Sequence, residues 1–284
     1  MAGMTPFVPG PKTEALSHSI GDYPDGIVIA VDKPYRWTSA DVVRRVKYAA
    51  IRHFGKKNLK VGHAGTLDPL ATGVLLVCIG PATRMAEDLQ KHDKEYVAGI
   101  TFGATTPSYD LEKEIDARFP FEHITESGLR EALATFVGEQ DQVAPLFSAK
   151  NIDGKRAYEI ARQAFKAGLP IPDDVIRASR ISITACDLLS FDESSPAVPE
   201  TGDCATLGSK VSSRINVAED DPDLPHAVVR LACSKGTYVR AFARDLGEAL
   251  GSGAYLYGLR RSRSGEFRVE NALTVDEAVS LLSE

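Results

Sequence analysis

The amino-acid sequence predicts an α+β fold in which helices and loops flank a mixed β-sheet. Three observations support this prediction. Short apolar or alternating segments, which are typical of strands, are separated at irregular intervals by amphipathic segments with helical spacing. The chain contains neither an internal repeat nor a low-complexity tract. Of its 284 residues, 43% are hydrophobic and 25% are charged, which is ordinary for a globular protein with a large core.

The first part of the chain is predicted to pass from a leader into a strand and a helix. Residues 1–24 contain scattered Pro and Gly without the apolar run of a signal peptide, and we expect a flexible leader. Residues 26–32 form a short apolar segment that is typical of a strand. Ser39 can cap a helix over 39–54, which is apolar on one face and basic on the other.

The next predicted elements are two strands and three helices. Residues 74–79 are the longest purely apolar run and predict a buried strand. Residues 96–102 alternate between apolar and other side chains, as a half-buried strand does. Amphipathic patterns predict the helices at 82–92, 125–137 and 155–167.

In the C-terminal half, predicted strands and helices again follow one another. Strands are predicted at 177–191 and 226–233, and a strongly amphipathic helix is predicted at 236–250. Residues 192–225, between the two strands, are rich in Ser, Pro and acidic residues, so we expect an exposed acidic insertion there. A short amphipathic helix is predicted at 274–282.

Charges are segregated along the chain, although the formal net charge is only −6. Residues 33–63 contain nine Lys or Arg and one acid, and residues 235–268 contain seven bases and three acids. The stretches 87–140 and 187–225 are acidic. If the two basic segments meet in space, they form a face that attracts a polyanion such as nucleic acid. The alternative is a set of solvated helix faces.

Several classes of protein lack support in the sequence. The longest apolar run is far shorter than the roughly 20 residues of a membrane-spanning helix. The four cysteines show no C-x-x-C spacing, so we expect reduced thiols in the cytoplasm and neither a zinc site nor a redox pair. Phosphate-loop, dinucleotide and zinc-protease motifs are also missing. We therefore expect neither a cofactor nor a metal.

The most unusual segment is residues 61–73, with the sequence VGHAGTLDPLATG. In one interpretation, Asp68 caps a short turn that starts at Pro69 and that Gly73 ends in a left-handed conformation. In the other, the role is chemical, because a carboxylate held in a tight loop beside a buried strand can serve as a nucleophile or base. The residues alone leave both interpretations open.

A second segment, residues 233–240, turns from a strand into a helix. Arg240 lies in the first helical turn, where its guanidinium could pair with a carboxylate from another loop and keep it ionised. Alternatively, Arg240 is a surface residue and Tyr238 packs on the core. Tyr96 stands at the head of an alternating strand, where a tyrosine considered alone is more often part of the core.

These segments, in this order, resemble the bacterial tRNA pseudouridine-55 synthase family (TruB). The specific matches are GTLDP, which ends at Pro69, and KGTYVR, which ends at Arg240; a further match is LRRSRSGEF at 259–267. The resemblance implies a pseudouridine-synthase-like fold with a largely antiparallel sheet and a catalytic cleft. It also implies a catalytic domain over 25–270, with the acidic segment 192–225 as an insertion.

The sequence departs from the family pattern at two informative places. The pattern T-x-T-x-D-x-x-G becomes Thr106-Pro-Ser108-Tyr-Asp110-Leu-Glu-Lys113, without the glycine. Residues 271–284 suffice only for a short C-terminal helix, where many relatives carry a PUA-like RNA-binding domain. We therefore expect contacts to the far end of a tRNA to be reduced or made differently.

The resemblance implies an isomerase that converts uridine to pseudouridine at position 55, in the T arm of tRNA, on a base flipped out of the RNA. Asp68 would be the catalytic aspartate, acting as nucleophile or base. Tyr96 would stack on the target base and assist the proton step, and Arg240 would hold Asp68 in an ion pair.

Further residues would bind the substrate. Tyr238 and Leu259 would line the uridine pocket, His63 would help to hold the base out of the stack, and Lys33 would support the active-site loop. The phosphates would lie near five basic residues: Arg44, Arg45, Lys56, Lys57 and Lys60.

Two alternatives from other classes remain open. A non-catalytic module that binds and refolds tRNA would use the basic surfaces without needing Asp68. A hydrolase of N-glycosidic bonds would also use an aspartate near C1′, but it would release the free base. The expected partner is the T arm of tRNA, and the sequence indicates neither a membrane nor an obligate protein partner.

Overall fold

The computed structural model describes residues 4–145, 147, 151–152, 155–156, 177–192, 215 and 217–283. The chain divides into two compact units. Unit 1 comprises Met1–Tyr96, Glu200–Ile215 and Leu259–Glu284, and unit 2 comprises Val97–Pro199 and Asn216–Gly258.

The described helices are few and mostly short. They are α1 (Ser39–His53), α2 (Ala86–Lys91), α3 (Glu126–Thr135), α4 (Val239–Ala249) and α5 (Val275–Ser280), with 3₁₀ turns at Ile20–Asp22, Gly80–Met85 and Val269–Asn271. The described strands are β1 (Ile27–Lys33), β2 (Val61–Ala64), β3 (Ala71–Ile79), β4 (Lys94–Phe102), β5 (Ala104–Thr105), β6 (Ala117–Arg118), β7 (Gly138–Gln142), β8 (Asn151–Ile152), β9 (Lys155–Arg156), β10 (Ser179–Asp192), β11 (His226–Cys233), β12 (Ala254–Ser264) and β13 (Phe267–Arg268).

Unit 1 is built around β3, all nine residues of which are buried. One edge of β3 pairs with β1 in antiparallel register, with Val28 opposite Cys78. The other edge is shared: β12 pairs with it in parallel at residues 71–73, and β2 pairs antiparallel at residues 76–79. Because both edges and both faces of β3 are covered, its sequence is a continuous apolar run without alternation.

Helix α1 covers unit 1 through one apolar face. Its buried residues include Val42, Val46 and Ala50, and it packs on β2, β3 and α5. The predicted cap is wrong by one residue: Ser39 is the first residue of the helix, and Thr38 caps it. The Thr38 hydroxyl accepts a hydrogen bond from the backbone of Asp41, whose carboxylate accepts one from the Thr38 backbone. The side chain of Ser39 is therefore available for another contact, described below.

In unit 2, the order of strands is β12-β4-β11-β10-β7. β10 runs antiparallel to both β11 and β7, and its register with β11 shifts at two bulges. Helix α3 packs against β10 and α4, where the rings of Phe136 and Phe242 meet edge to face at 5.2 Å. Strands β4 and β12 each contribute residues to both units. The mixed, largely antiparallel pairing confirms the predicted α+β class.

Several predicted elements differ from the observed ones. The segment 82–92 begins as a 3₁₀ turn and becomes α-helical only at Ala86. The predicted alternation in 96–102 is wrong, because β4 is buried on both faces from Ala98 onwards. Lys155 and Arg156 form β9, so the predicted helix does not begin at 155, and 157–167 lie outside the described residues.

The structure describes only parts of the predicted flexible leader and of the predicted acidic insertion. Phe7 donates a backbone hydrogen bond to Gly26 and accepts one from Val28, so the leader adds a bridge beside β1. Leu16 is buried. Most of 192–225 lies outside the described residues, and the domain boundaries at 24, 270 and 271 stay predictions.

Candidate active site

Asp68 lies in the loop of unit 1 that joins β2 to β3, and its side chain is half-buried. The turn interpretation of this segment is correct in part, since the Asp68 carbonyl accepts a hydrogen bond from Ala71 N–H at 3.1 Å. The turn leads directly into β3 and not into a helix, so Gly73 does not end a helical turn. Asp68 therefore projects from a short connection between two strands.

The residue before Asp68 is fixed by helix α1. The Ser39 hydroxyl accepts a hydrogen bond from Leu67 N–H at 2.9 Å and donates one to the Leu67 carbonyl at 3.1 Å. Both residues are buried. A single side chain thus satisfies the whole backbone of Leu67, which fixes the chain one residue before the carboxylate.

The residue after Asp68 is fixed by Lys33, at the end of β1. The buried Lys33 ammonium donates hydrogen bonds to the carbonyls of Pro34, Trp37 and Pro69 at 3.0, 2.6 and 3.2 Å. The Pro69 carbonyl also accepts a bond from Arg36 N–H at 2.9 Å. Burial lowers the pKa of Lys33 from 10.5 to about 7, and the negative charge of Asp68 opposes that shift.

Lys33 makes the stability of the fold depend on pH. Its folded-state pKa lies below its unfolded value, so between pH 7 and 10.5 the unfolded chain binds more protons. The free energy of unfolding should therefore rise with pH in this window, by on the order of 5 kcal/mol in total. Chemical denaturation of wild type and Lys33→Met across the window measures the difference. Parallel pH profiles for the two proteins would contradict this role.

The start of β3 is shaped by close contact with β12. Gly73 has φ of +98°, and a Cβ there would lie 2.2 Å from the carbonyl oxygen of Arg261. The buried Arg261 side chain donates to the carbonyls of Val74 at 2.7 Å and Gly65 at 3.2 Å. The Arg261 side chain therefore lies at the position along β3 where the pairing with β12 ends and the pairing with β2 begins.

Gly73→Ala should destabilise the protein by about 3 kcal/mol or more, because the methyl group forces β3 and β12 apart. Gly55→Ala is the matched control, since Gly55 also has positive φ (+61°) but open space around its Cβ position. That change should cost only about 1–2 kcal/mol from the backbone conformation alone. Urea unfolding measures the free energy of unfolding of both variants, and an equal loss of stability in the two would rule out the steric explanation.

Arg240 and Tyr238 lie in unit 2, at the start of α4. Tyr238 occupies the helix N-cap position, where the Gln142 side chain accepts from its N–H at 2.8 Å and donates to its carbonyl at 3.2 Å. The preceding turn needs Gly236, whose φ is +84°. The predicted strand-to-helix turn is therefore confirmed, with a glutamine from β7 serving as the cap.

Arg240 is only 5% exposed and contacts several groups within unit 2. Its guanidinium lies 3.6 Å from the Asp110 carboxylate and donates to the carbonyls of Ser108 and Phe147 at 3.1 and 2.9 Å. The predicted surface alternative for Arg240 is therefore wrong. Asp68 belongs to unit 1, and its ion pair with Arg240 stays a prediction.

Asp110 is a buried contact of Arg240 that the sequence analysis did not single out. Its carboxylate accepts hydrogen bonds from the Ser108 hydroxyl at 2.5 Å and from Glu112 N–H at 3.0 Å. The Thr106 hydroxyl bonds to the backbone of Asp110, and Tyr109 adopts a positive φ of 57°. The signal was present in the retained Thr and Asp of the T-x-T-x-D pattern.

Comparison with known proteins decides the family. Residues 52–200, just over half of the chain, match the family model described as TruB family pseudouridylate synthase, N terminal domain. The chain belongs to the TruB family. A tRNA pseudouridine synthase B of Phocaeicola vulgatus is 45% identical over 255 residues, which cover 90% of this chain and 92% of that protein. Its counterpart in Bacteroides thetaiotaomicron is 46% identical over 252 residues, which cover 89% and 91%.

Solved structures confirm the predicted pseudouridine-synthase-like fold of this TruB family member. A crystal structure of a Cbf5-Nop10-Gar1 complex matches with 25% identity and a TM-score of 0.58, covering 95% of this chain and 59% of that one. A structure of an H/ACA RNP bound to a substrate RNA containing 2′-deoxyuridine matches with 24% identity and a TM-score of 0.54. That match covers 90% of this chain and 53% of the other, so this chain spans only about half the length of either structure's chain.

The remaining residues that the TruB resemblance implies lie mostly in unit 1. His63, on β2, is half-buried, and both burial and the charge of Arg261 lower its pKa, so the imidazole is neutral at pH 7. Leu259 pairs with Ala71, three residues after Asp68. Tyr96 lies on β4 and is only 8% exposed, so little of its ring reaches solvent.

The predicted phosphate-binding residues of this TruB chain are all exposed on unit 1. Arg44 and Arg45, on α1, contact the carboxylates of Asp41 and Asp276 at 2.6 and 3.4 Å. The lysines follow the helix: Lys56, Lys57 and Lys60. In the described part of the chain, no three His, Cys, Asp or Glu side chains are arranged to hold a metal ion. None of the described helices has the length and apolarity needed to cross a bilayer.

Proposed function

We propose that this chain is a tRNA pseudouridine synthase that isomerises uridine 55 in the T arm. Membership in the TruB family and close similarity to proteins named tRNA pseudouridine synthase B support the substrate. One structural observation carries the chemistry: Asp68, within the GTLDP motif, projects from a loop whose neighbouring residues are fixed by Ser39 and Lys33. Such fixation is what a nucleophile or base requires.

The reaction is an internal rearrangement that needs no co-reactant. The bond between N1 and C1′ of the uridine breaks, the uracil turns, and a new bond joins C5 to C1′. The proton on C5 leaves and N1 gains one, so atoms and charge balance. Asp68 can attack C1′ to form a covalent intermediate, or it can take the C2′ proton to generate a glycal. In either route the first step uses an ionised carboxylate.

We assign the other residues to supporting roles. Tyr96 contacts the target base and assists the proton step, and Tyr238 and Leu259 line the uridine pocket in the catalytic cleft. His63, neutral at pH 7, helps to hold the base outside the RNA stack. Arg240 pairs with Asp68 in addition to its contact with Asp110.

The RNA must expose its target before the reaction. Flipping a base costs a few kcal/mol, which contacts with aromatic and basic residues offset. We place the phosphates near the basic residues of α1 and the lysines that follow it, so binding weakens as salt rises. We place the reaction in the cytoplasm, where tRNA is found, and propose that the chain acts without an obligate protein partner.

A reaction with purified components tests the proposal. The protein alone is incubated with unmodified tRNA transcript, and pseudouridine is mapped by position while free uracil is quantified. We expect pseudouridine at position 55 and none in a transcript with cytidine at that position. Release of free uracil would favour an N-glycosidic hydrolase, and tightly bound but unmodified tRNA would favour a non-catalytic RNA-binding module.

A further inference from the structure

We propose that Tyr48, on the exposed basic face of α1, stacks against an unpaired base of the substrate RNA. This inference rests on the proposed function and extends it to a part of the RNA outside the target uridine. We call this face, together with the loop after it, the α1 surface. It comprises Arg44, Arg45, Lys47, Tyr48, Arg52, Lys56, Lys57 and Lys60.

The first observation is the exposure of a large aromatic ring. Tyr48 is 67% exposed, more than any other large hydrophobic residue that the structure describes. The other exposed aromatic residues in the described ranges, Phe7 and Phe119, are 41% and 38% exposed. A single exposed apolar residue needs no explanation by itself, so the case for a binding role depends on the residues around Tyr48.

The second observation is that cationic side chains surround the ring. Arg44, Tyr48 and Arg52 follow one another at four-residue spacing, so they share one stripe of the helix. The Arg52 guanidinium lies 5.7 Å from the centroid of the Tyr48 ring, a cation–π contact that orients the ring at the surface. The opposite face of α1 is buried against unit 1, so this stripe points into solvent.

The third observation is that few of the cations on the α1 surface have a carboxylate partner. Two of the cations, Arg44 and Arg45, have acidic partners within 4.0 Å. The other five have none among the residues that the structure describes: Lys47, Arg52, Lys56, Lys57 and Lys60. Unpaired cations around an exposed aromatic ring are typical of surfaces that bind single-stranded nucleic acid, where the cations bind phosphates and the ring stacks on a base.

The fourth observation connects this surface with the candidate active site. The first residue of α1, Ser39, is bonded to Leu67, next to Asp68. Tyr48 follows nine residues later, which corresponds to about 14 Å along the helix axis. An RNA that places its uridine at Asp68 can therefore reach Tyr48 with a nearby nucleotide. Among polyanions, RNA fits better than an acidic protein because it also offers bases to the ring.

Two substitutions of Tyr48 test the stacking. Tyr48→Leu keeps an apolar side chain but removes the ring, and we expect it to raise the Kd for unmodified tRNA about 5- to 100-fold. Tyr48→Phe keeps the ring and should bind within twofold of wild type. The kcat at saturating tRNA should change little for either variant, while KM should follow Kd. Thermal unfolding of both variants checks that they are folded.

A charge substitution tests the phosphate contacts. Arg52→Gln should reduce the slope of log Kd against log salt by about one phosphate contact, whereas Tyr48→Leu should leave that slope unchanged. Arg130→Gln, an exposed arginine of α3 paired with Glu126, is the matched control and should bind as wild type does.

The outcomes separate this proposal from the proposed function. Wild-type tRNA affinity in Tyr48→Leu overturns the stacking proposal even if wild type forms pseudouridine, and would favour an acidic protein as the partner of the α1 surface. A wild-type protein that forms no pseudouridine overturns the proposed function. If Tyr48→Leu still weakens tRNA binding in that case, the surface proposal holds.

Discussion

Asp68→Asn is expected to lower the rate of pseudouridine formation about 10³-fold or more while leaving tRNA bound and the protein folded. The substitution keeps the shape of the side chain but replaces the ionised carboxylate with an amide, which is neither a competent nucleophile nor a base. The backbone on either side is held by Ser39 and Lys33, so the loop should keep its position.

Single-turnover kinetics with tRNA labelled at C5 of uridine measure this effect, because the C5 proton is released when C5 joins C1′. Asp88→Asn is the matched control, since Asp88 is an exposed carboxylate of unit 1 paired only with Lys91 in the described contacts. It should react like wild type. An Asp68→Asn variant that keeps more than about a tenth of the wild-type rate would contradict the role of Asp68.

Arg240→Met is expected to lower both stability and activity. It leaves the Asp110 carboxylate, which is 4% exposed, without the guanidinium at 3.6 Å, and breaking a buried ion pair in this way costs about 3–5 kcal/mol. It also removes the proposed partner of Asp68, so the reaction should slow about 100-fold or more. The loss of stability follows from Asp110, which makes Arg240 a structural residue as well as a candidate for the active site.

The double variant Arg240→Met with Asp110→Asn separates the two effects. Removing both charges should restore most of the free energy of unfolding, because no unpaired charge remains buried. Activity should stay low, because Asp68 still lacks its proposed partner. Urea unfolding and single-turnover rates are measured on four proteins: wild type, Arg240→Met, Asp110→Asn and the double variant. If activity returns together with stability, Arg240 serves only the fold, and the proposed pairing with Asp68 fails.

Local sequence patterns predicted most elements of this fold but not all of its strand pairing. The apolar segment 226–233 became β11 with the same bounds, and α1 starts within one residue of the prediction. β12 was not predicted because Arg260, Arg261 and Arg263 are charged residues, which are typical of a solvent-exposed segment. In the fold, Arg260 contacts Asp32 at 2.8 Å and Arg261 is buried against β3. These partners lie about 190 to 230 residues away in sequence, beyond the reach of any local pattern.

In the candidate site, too, local sequence patterns identified some residues and not others. Asp68 and Arg240 stood out because each lies in a short, distinctive motif. Ser39 was taken for a helix cap, and its contact with Leu67 could not be inferred because it joins two segments that local spacing does not connect. Asp110 was passed over for the same reason, since its significance depends on an arginine 130 residues later in the sequence.

The double attachment of the Asp68 loop has a consequence for the catalytic cycle. Lys33 and Ser39 are both buried, so we expect the bonds they make to Pro69 and Leu67 to form when the chain folds and to persist when RNA binds or leaves. Asp68, the proposed reactive group, is then preorganised, and binding free energy can go into flipping the nucleoside out of the RNA. An enzyme of this construction is ready for its next substrate as soon as the product dissociates.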